Sequence, residues 1–115
     1  MSYQWSIYVA VLDPVRGSEQ AGRRPVLVVS RERINQVLKV VNVVPLTSLR
    51  SPQRKIYPNE VLLPAGTGGI ARESIALCYQ IRTLDKSRLI TQLGQVTDSR
   101  IRMQIIEALR FQLDI

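Results

Sequence analysis

Two short segments carry the residue types best suited to chemistry on a negatively charged partner. The first is DPVRGSEQAGRRPVLVV, residues 13–29, in which a Pro turn, two Gly and three Arg run directly into a block of β-branched residues. Ser18, Glu19 and Gln20 supply hydrogen-bonding groups there, and Arg24 brings a planar, permanently charged fork to the entrance of the next strand. The second segment, VVNVVPLTS, ends in Thr47 and Ser48, followed by a basic loop that carries Arg50, Arg54 and Lys55. If the strands that follow Arg24 and precede Thr47 are neighbours, a cation and a hydroxyl donor share one exposed rim. Each residue also has a purely structural use. Arg24 would hold the loop by pairing with Glu19 or Asp13, and a hydroxyl at a strand end is a common cap or turn residue.

Composition narrows the chemistry. Histidine is absent, which excludes His-based acid–base pairs, Ser-His and Cys-His triads, and the commonest transition-metal ligand. No metal or other cofactor is expected. The formal net charge of +7 is uneven: residues 1–57 hold nine Lys/Arg against three Asp/Glu, and residues 58–115 hold seven against six. Such a field favours a polyanion, nucleic acid or an acidic protein segment. Gly17 and Gly22 have the Gly-x4-Gly spacing of a phosphate-binding loop, but Arg23, Arg24 and Pro25 follow where that motif needs Lys, then Ser or Thr, and a helix. Nucleotide triphosphate binding is therefore set aside. Cys78 has no second cysteine to pair with and, in SIALCYQI, reads as a small buried hydrophobe.

The elements that must hold these residues are short. With 115 residues the chain is expected to form a single domain, 1–115, cytoplasmic and without a membrane span, since MSYQW lacks the features of a secretion signal. Strand patterns cover Ile7 to Leu12, Pro25 to Ser30, Val40 to Leu46, Glu60 to Leu63, Ser74 to Tyr79 and Leu89 to Val96. PVLVV and VVNVV are almost continuously apolar, which places them at the centre of the sheet with both faces covered. Ser30 is the expected N-cap of a short helix in RERINQVLK, and GTGG at 66–69 is a turn. After Thr97, the expected N-cap, Ile101, Ile105, Ala108, Leu109 and Leu113 fall on one helical face. The fold class is α+β: a small, strongly curved antiparallel sheet or partly open barrel with a C-terminal helix.

DPVRGSEQAGRRPVLVVS, VVNVVPLTS and YQIRTLDKSRL, in that order, resemble the MazF/PemK-like family of bacterial toxin endoribonucleases, and the likeness spans most of the chain. The resemblance implies a toxin of a type II toxin–antitoxin system that cuts single-stranded RNA at short sequences without a metal, an mRNA interferase. It further implies a homodimer and an antitoxin whose flexible acidic segment covers the RNA groove, DNA being reached only through that antitoxin. Carried over by position, Arg24 and Thr47 match the catalytic Arg and Thr. Ser18, Glu19, Gln20 and Gln80 match positions that contact RNA, and the basic edge adds Ser48, Arg50, Arg54 and Lys55. Tyr57 and Tyr79 are candidates either to stack on bases or to pack at the rim.

In one branch of the family an Arg and an Asp near the fifth strand have catalytic roles, and Leu77 and Tyr79 stand at those places here. The burden then falls on Arg24 and Thr47. The family chemistry is attack of a ribose 2′-hydroxyl on the adjacent phosphorus, leaving 2′,3′-cyclic phosphate and 5′-hydroxyl ends. Arg24 would offer two donors and Thr47 one to the forming phosphorane. The general base is open, Glu19 being the carboxylate in the loop. The contrasting possibilities are a member of the same fold that binds RNA or antitoxin without cutting, or one that poisons DNA gyrase by protein contact.

Overall fold

The computed structural model describes residues 2–115. Runs of Val, Ile and Leu form seven strands: β1 (Ser6–Val11), β2 (Arg23–Val28), β3 (Val40–Ser48), β4 (Glu60–Leu63), β5 (Ser74–Leu77), β6 (Arg82–Asp85) and β7 (Leu89–Gln95). A six-residue helix α1 (Glu32–Val37) joins β2 to β3, and a fifteen-residue helix α2 (Ser99–Leu113) closes the chain. The sheet is antiparallel and not closed, in the order β4-β5-β3-β2-β1-β7, with β6 pairing with β3 off this path. β3 is its spine. Val40–Val43 pair with β6, Leu46–Ser48 pair with β5, and Val43–Pro45 pair with β2, so one nine-residue strand turns the sheet from one set of partners to the next.

The continuous apolar runs are buried on both faces, as their patterning requires. Leu27, Val44 and Leu46 join Ile7, Leu63, Ile105 and Ala108 in a core covered by α2. Val26, Val28, Val41 and Val43 face the other way with Tyr8, Ala10, Leu12 and Leu84. Complete burial of a residue such as Leu27 contributes about 1.5–3 kcal/mol, so β2 and β3 are a rigid base for whatever projects from their ends. Gly69, at φ +84°, lies so near β7 that a Cβ there would meet the Leu93 carbonyl oxygen at 2.2 Å, and only glycine permits that approach.

Several boundaries depart from the sequence reading. The strand expected to reach Tyr79 stops at Leu77, and Cys78–Gln80 form a 3-10 turn that redirects the chain into β6. β6 itself escaped the sequence reading because four residues with two charges give little alternation. Ser30 does not cap α1. Arg31 holds the N-cap position, and the Ser30 hydroxyl donates to Asn35 Oδ1 while accepting from the Asn42 N–H. Asp98, not Thr97, caps α2, its carboxylate accepting from Arg100 N–H, a stronger acceptor than a hydroxyl at a positive helix end. Leu113 is half exposed because the last turn of α2 runs beyond the core that Ile105 and Ala108 enter. Among the described residues no helix is long and apolar enough to cross a membrane.

Candidate active site

The loop between β1 and β2 is held at its neck and braced along its length. Leu12 N–H donates to the Gly22 carbonyl at 2.9 Å, and Gly22 N–H donates to Asp13 Oδ1 at 3.1 Å. Gly22 sits at φ +72°, a conformation that side chains rarely adopt. Within the loop Glu19 N–H donates to the Arg16 carbonyl and a Glu19 carboxylate oxygen accepts from Arg16 N–H. Three residues reach across from β6 and the turns beside it. Arg82 donates to the Leu12 carbonyl, and Arg88 to the carbonyls of Val11 and Asp13. The Gln80 amide accepts from Gln20 N–H at 2.8 Å and donates to the Ser18 carbonyl at 3.2 Å.

Arg24 and Thr47 lie on neighbouring strands. β2 pairs with β3 as Val26↔Pro45, Leu27↔Val44 and Val28↔Val43. The β2–β3 pairing ends there; Arg24, near the start of β2, pairs with Ala10 of β1, and Thr47, near the end of β3, pairs with Ile75 of β5. The ion pair of Arg24 with Glu19 or Asp13 is not formed, since both carboxylates accept backbone N–H groups of the loop. The Arg24 guanidinium donates from Nε to the Ala21 carbonyl at 3.2 Å, and no carboxylate pairs with it among the described residues.

Beside the end of β3 lies a cavity of about 320 Å³ lined by Gln20, Thr47, Ser48, Arg50, Ser51, Arg54, Leu77 and Tyr79. An adjoining one of about 240 Å³ is lined by Glu19, Gln20, Pro45, Tyr79, Gln80, Ile81 and Arg82. Gln20 and Tyr79 form the wall between them. The single buried side-chain oxygen without a partner among the described residues is Gln20 Oε1. Five of the expected site residues, Gln20, Thr47, Ser48, Arg50 and Arg54, thus share one cavity, and Glu19 and Gln80 share the next. Arg24 is not among the residues that line either. Ser18 lies exposed at the loop tip, and Lys55 sits apart with its Nζ 5.2 Å from the centre of the Tyr57 ring.

Arg54 is committed to a carboxylate. Its Nη1 and Nη2 meet Glu60 Oε1 and Oε2 at 2.7 and 2.9 Å, and the Glu60 carboxylate is almost wholly buried. The Arg54 hydrogen bonds hold Glu60 below the usual carboxylate range against the upward push of burial, and the same pairing raises Arg54. Cys78 is buried, and its thiol is pushed up to about 12, first by desolvation, so it is inert rather than nucleophilic. Sequence reasoning missed Arg82 and Arg88 as braces of the loop. Their contacts lie 70 and 77 residues away, beyond the reach of any local pattern.

Residues 3–113 match the family described as PemK-like, MazF-like toxin of type II toxin–antitoxin systems. The chain belongs to this family. A curated PemK/MazF relative, the endoribonuclease MazF9 of Mycobacterium tuberculosis, is 38% identical over 120 residues, covering 100% of this chain and 98% of its own. The crystal structure of MazF from Deinococcus radiodurans superposes with a TM-score of 0.79 at 31% identity, covering 97% of this chain and 96% of that one. A MazE–MazF complex from the same organism matches at a TM-score of 0.72 and 27% identity, covering 97% and 94%. The open antiparallel sheet with a C-terminal helix is therefore the PemK/MazF fold.

Proposed function

We propose that this PemK/MazF toxin is an endoribonuclease that cuts single-stranded RNA at the rim formed by Arg24 and Thr47. The observation that supports the reading is the β2–β3 pairing: Arg24, a guanidinium with no carboxylate partner among the described residues, lies near the start of one strand, and Thr47, which lines a polar cavity, near the end of its neighbour. The 38% identity to an endoribonuclease over the whole chain supports the reaction class. The 2′-hydroxyl of the substrate attacks the adjacent phosphorus, the P–O5′ bond breaks, and 2′,3′-cyclic phosphate and 5′-hydroxyl ends result. Arg24 stabilises the equatorial oxygens with two donors and Thr47 adds a third.

RNA runs along the edge lined by the opening loop and by Ser48 and Arg50. Gln20 Oε1, lacking a donor in the free protein, suits an N–H of an unstacked base. Arg54, neutralised by Glu60, contributes shape and hydrogen bonding to the cavity more than charge. Partner binding follows the MazE–MazF complex among the structural neighbours: an antitoxin segment rich in acidic residues suits the basic rim. A homodimer in the cytoplasm completes the reading. Phe111 and Leu62, both exposed, flank a groove of about 530 Å³ between β4 and α2 that gives such a dimer apolar surface to bury.

The test is to incubate the purified chain with long unstructured RNA in EDTA beside Arg24→Ala, then map the cuts and their ends. Cyclic phosphate and 5′-hydroxyl ends at one short sequence, from the wild type alone, are expected. RNA that samples every short motif and stays intact would overturn the proposal.

A further inference from the structure

The Gln80 side chain makes a pair of hydrogen bonds that a neighbouring β-strand would make. Its Oε1 accepts from Gln20 N–H and its Nε2 donates to the Ser18 carbonyl, so the amide stands in for one residue of a strand along loop residues 18–20. The base of this clamp is rigid. Gln80 ends the 3-10 turn Cys78–Gln80, closed by Ile81 N–H donating to the Cys78 carbonyl; Cys78 is fully buried and Ile81 packs on the core. The clamped loop contains Gly17 and Gly22, both at positive φ, with exposed Ser18 and Glu19 between them; the bonds within it tie residues 12, 13, 16, 19 and 22, and those from Gln80 are the ones that hold the Ser18 carbonyl and the Gln20 N–H.

A short path leads from the clamp to the cation. Ala21 follows the clamped residues directly, and its carbonyl accepts the Nε–H of Arg24. Whatever fixes the backbone at Gln20 therefore fixes the acceptor that orients the guanidinium. We propose that Gln80 is a positioning residue for Arg24: by clamping residues 18–20 to the core-anchored turn, it holds the Ala21 carbonyl where Arg24 must dock. This rests on the ribonuclease reading for its consequence and on the free protein for its geometry. It also changes the part given to Gln80, whose two polar atoms each make one bond to the loop backbone.

The test compares wild type, Gln80→Met and Gln80→Glu. Met removes both hydrogen bonds at similar size; Glu keeps the acceptor for Gln20 N–H and loses the donor. In RNA-free protein, hydrogen exchange of the Gln20 amide and the NMR resonance of Arg24 Nε–H are followed, with the thermal midpoint as a check on the sheet. Gln80→Met is expected to speed Gln20 exchange roughly tenfold and shift the Arg24 signal toward that of a free guanidinium. It should also lower kcat roughly tenfold, with KM and the cut sequence little changed, and Gln80→Glu should fall between. Wild-type protection of Gln20 or an unmoved Arg24 signal in Gln80→Met would overturn the clamp. An altered cut sequence with protection intact would make Gln80 an RNA contact instead. Should Gln80→Met not fold, Gln80→Glu carries the same measurements. If the wild type cut no RNA at all, the ribonuclease reading would fail while the two RNA-free signals still decided the clamp.

Discussion

Arg24, near the start of β2, and Arg54, which shares a cavity with Thr47, are arginines that the fold treats in opposite ways. Arg54 is matched by a buried carboxylate with two short hydrogen bonds, and its charge is cancelled where it stands. Arg24 makes one bond to a backbone carbonyl, and the loop carboxylates that could neutralise it are turned to N–H groups instead. The difference separates a cation that holds structure from one that is available to a substrate. Counting basic residues along the sequence gives both the same weight; their partners do not.

The largest effect that would sharpen this contrast is loss of cutting. Arg24→Ala is expected to lower the cleavage rate on the order of 10²- to 10³-fold, because a preorganised donor aimed at developing charge is removed. Thr47→Val, which keeps the shape of the side chain and deletes its hydroxyl, should lose about 10²-fold by the same argument. Both should melt close to wild type. Single-turnover rates and thermal melts measure this, and the contrast breaks if Arg54→Met is as slow per folded molecule as Arg24→Ala.

Arg54→Met should instead act on stability. It leaves the Glu60 carboxylate buried with only the Tyr57 N–H as donor, at a cost of about 2 kcal/mol, below the figure for a wholly buried pair because the Arg54 side chain is 34% exposed. The pH dependence has a definite sign. Glu60 is held below its ordinary value in the folded state, so its contribution is complete above the unfolded pKa of about 4.3 and is lost as pH falls through the lower folded value. Urea melts at pH 7 and pH 3 should differ less in Arg54→Met than in wild type. An equal difference would show that the pair does not carry the acid sensitivity.

Gln20 gives a smaller effect of mixed sign. Replacing this half-buried amide with a thioether of similar size removes a buried acceptor oxygen that has no partner, so Gln20→Met should be neutral or slightly stabilising in the free protein. If that oxygen takes an N–H from a base, the same variant should cut roughly fivefold to tenfold more slowly and relax the preference at one position of the cut sequence. A stability loss of more than about 1 kcal/mol would mean that Gln20 Oε1 is satisfied in solution and is not held ready for RNA.

That Arg24 and Thr47 lie on neighbouring strands was legible in the sequence because it depends only on the pairing of two apolar runs. The apolar runs PVLVV and VVNVV mark adjacent central strands, and an antiparallel pair of that length brings the residue before one run near the residue after the other. The curved antiparallel sheet followed from the succession of short apolar runs, and the terminal helix from the helical spacing of Ile101, Ile105, Ala108 and Leu109. The pairing of Arg54 was not legible because its partner, Glu60, opens β4 and has nothing in its local pattern to mark it as buried. The Gln80 clamp was hidden for a related reason: a side chain that substitutes for a strand leaves no periodic trace, and its contacts span 60 and 62 residues.

The smallest effect is expected at Glu19, the carboxylate within the loop that precedes Arg24. As a general base it would have to present a free oxygen to a ribose hydroxyl. In the structure it closes a turn with one carboxylate oxygen, which accepts from Arg16 N–H while Glu19 N–H donates to the Arg16 carbonyl. Gln keeps the oxygen that this turn needs and cannot accept a proton near neutral pH. Glu19→Gln should therefore cut within about threefold of wild type, since a turn bond is retained and only part of its strength depends on charge. A loss of about 10²-fold or more, with the Gln20 amide still protected, would return Glu19 to the chemistry as the base. The arrangement at Arg24 would then be a cation and a base on one loop, kept from pairing with each other by the backbone between them.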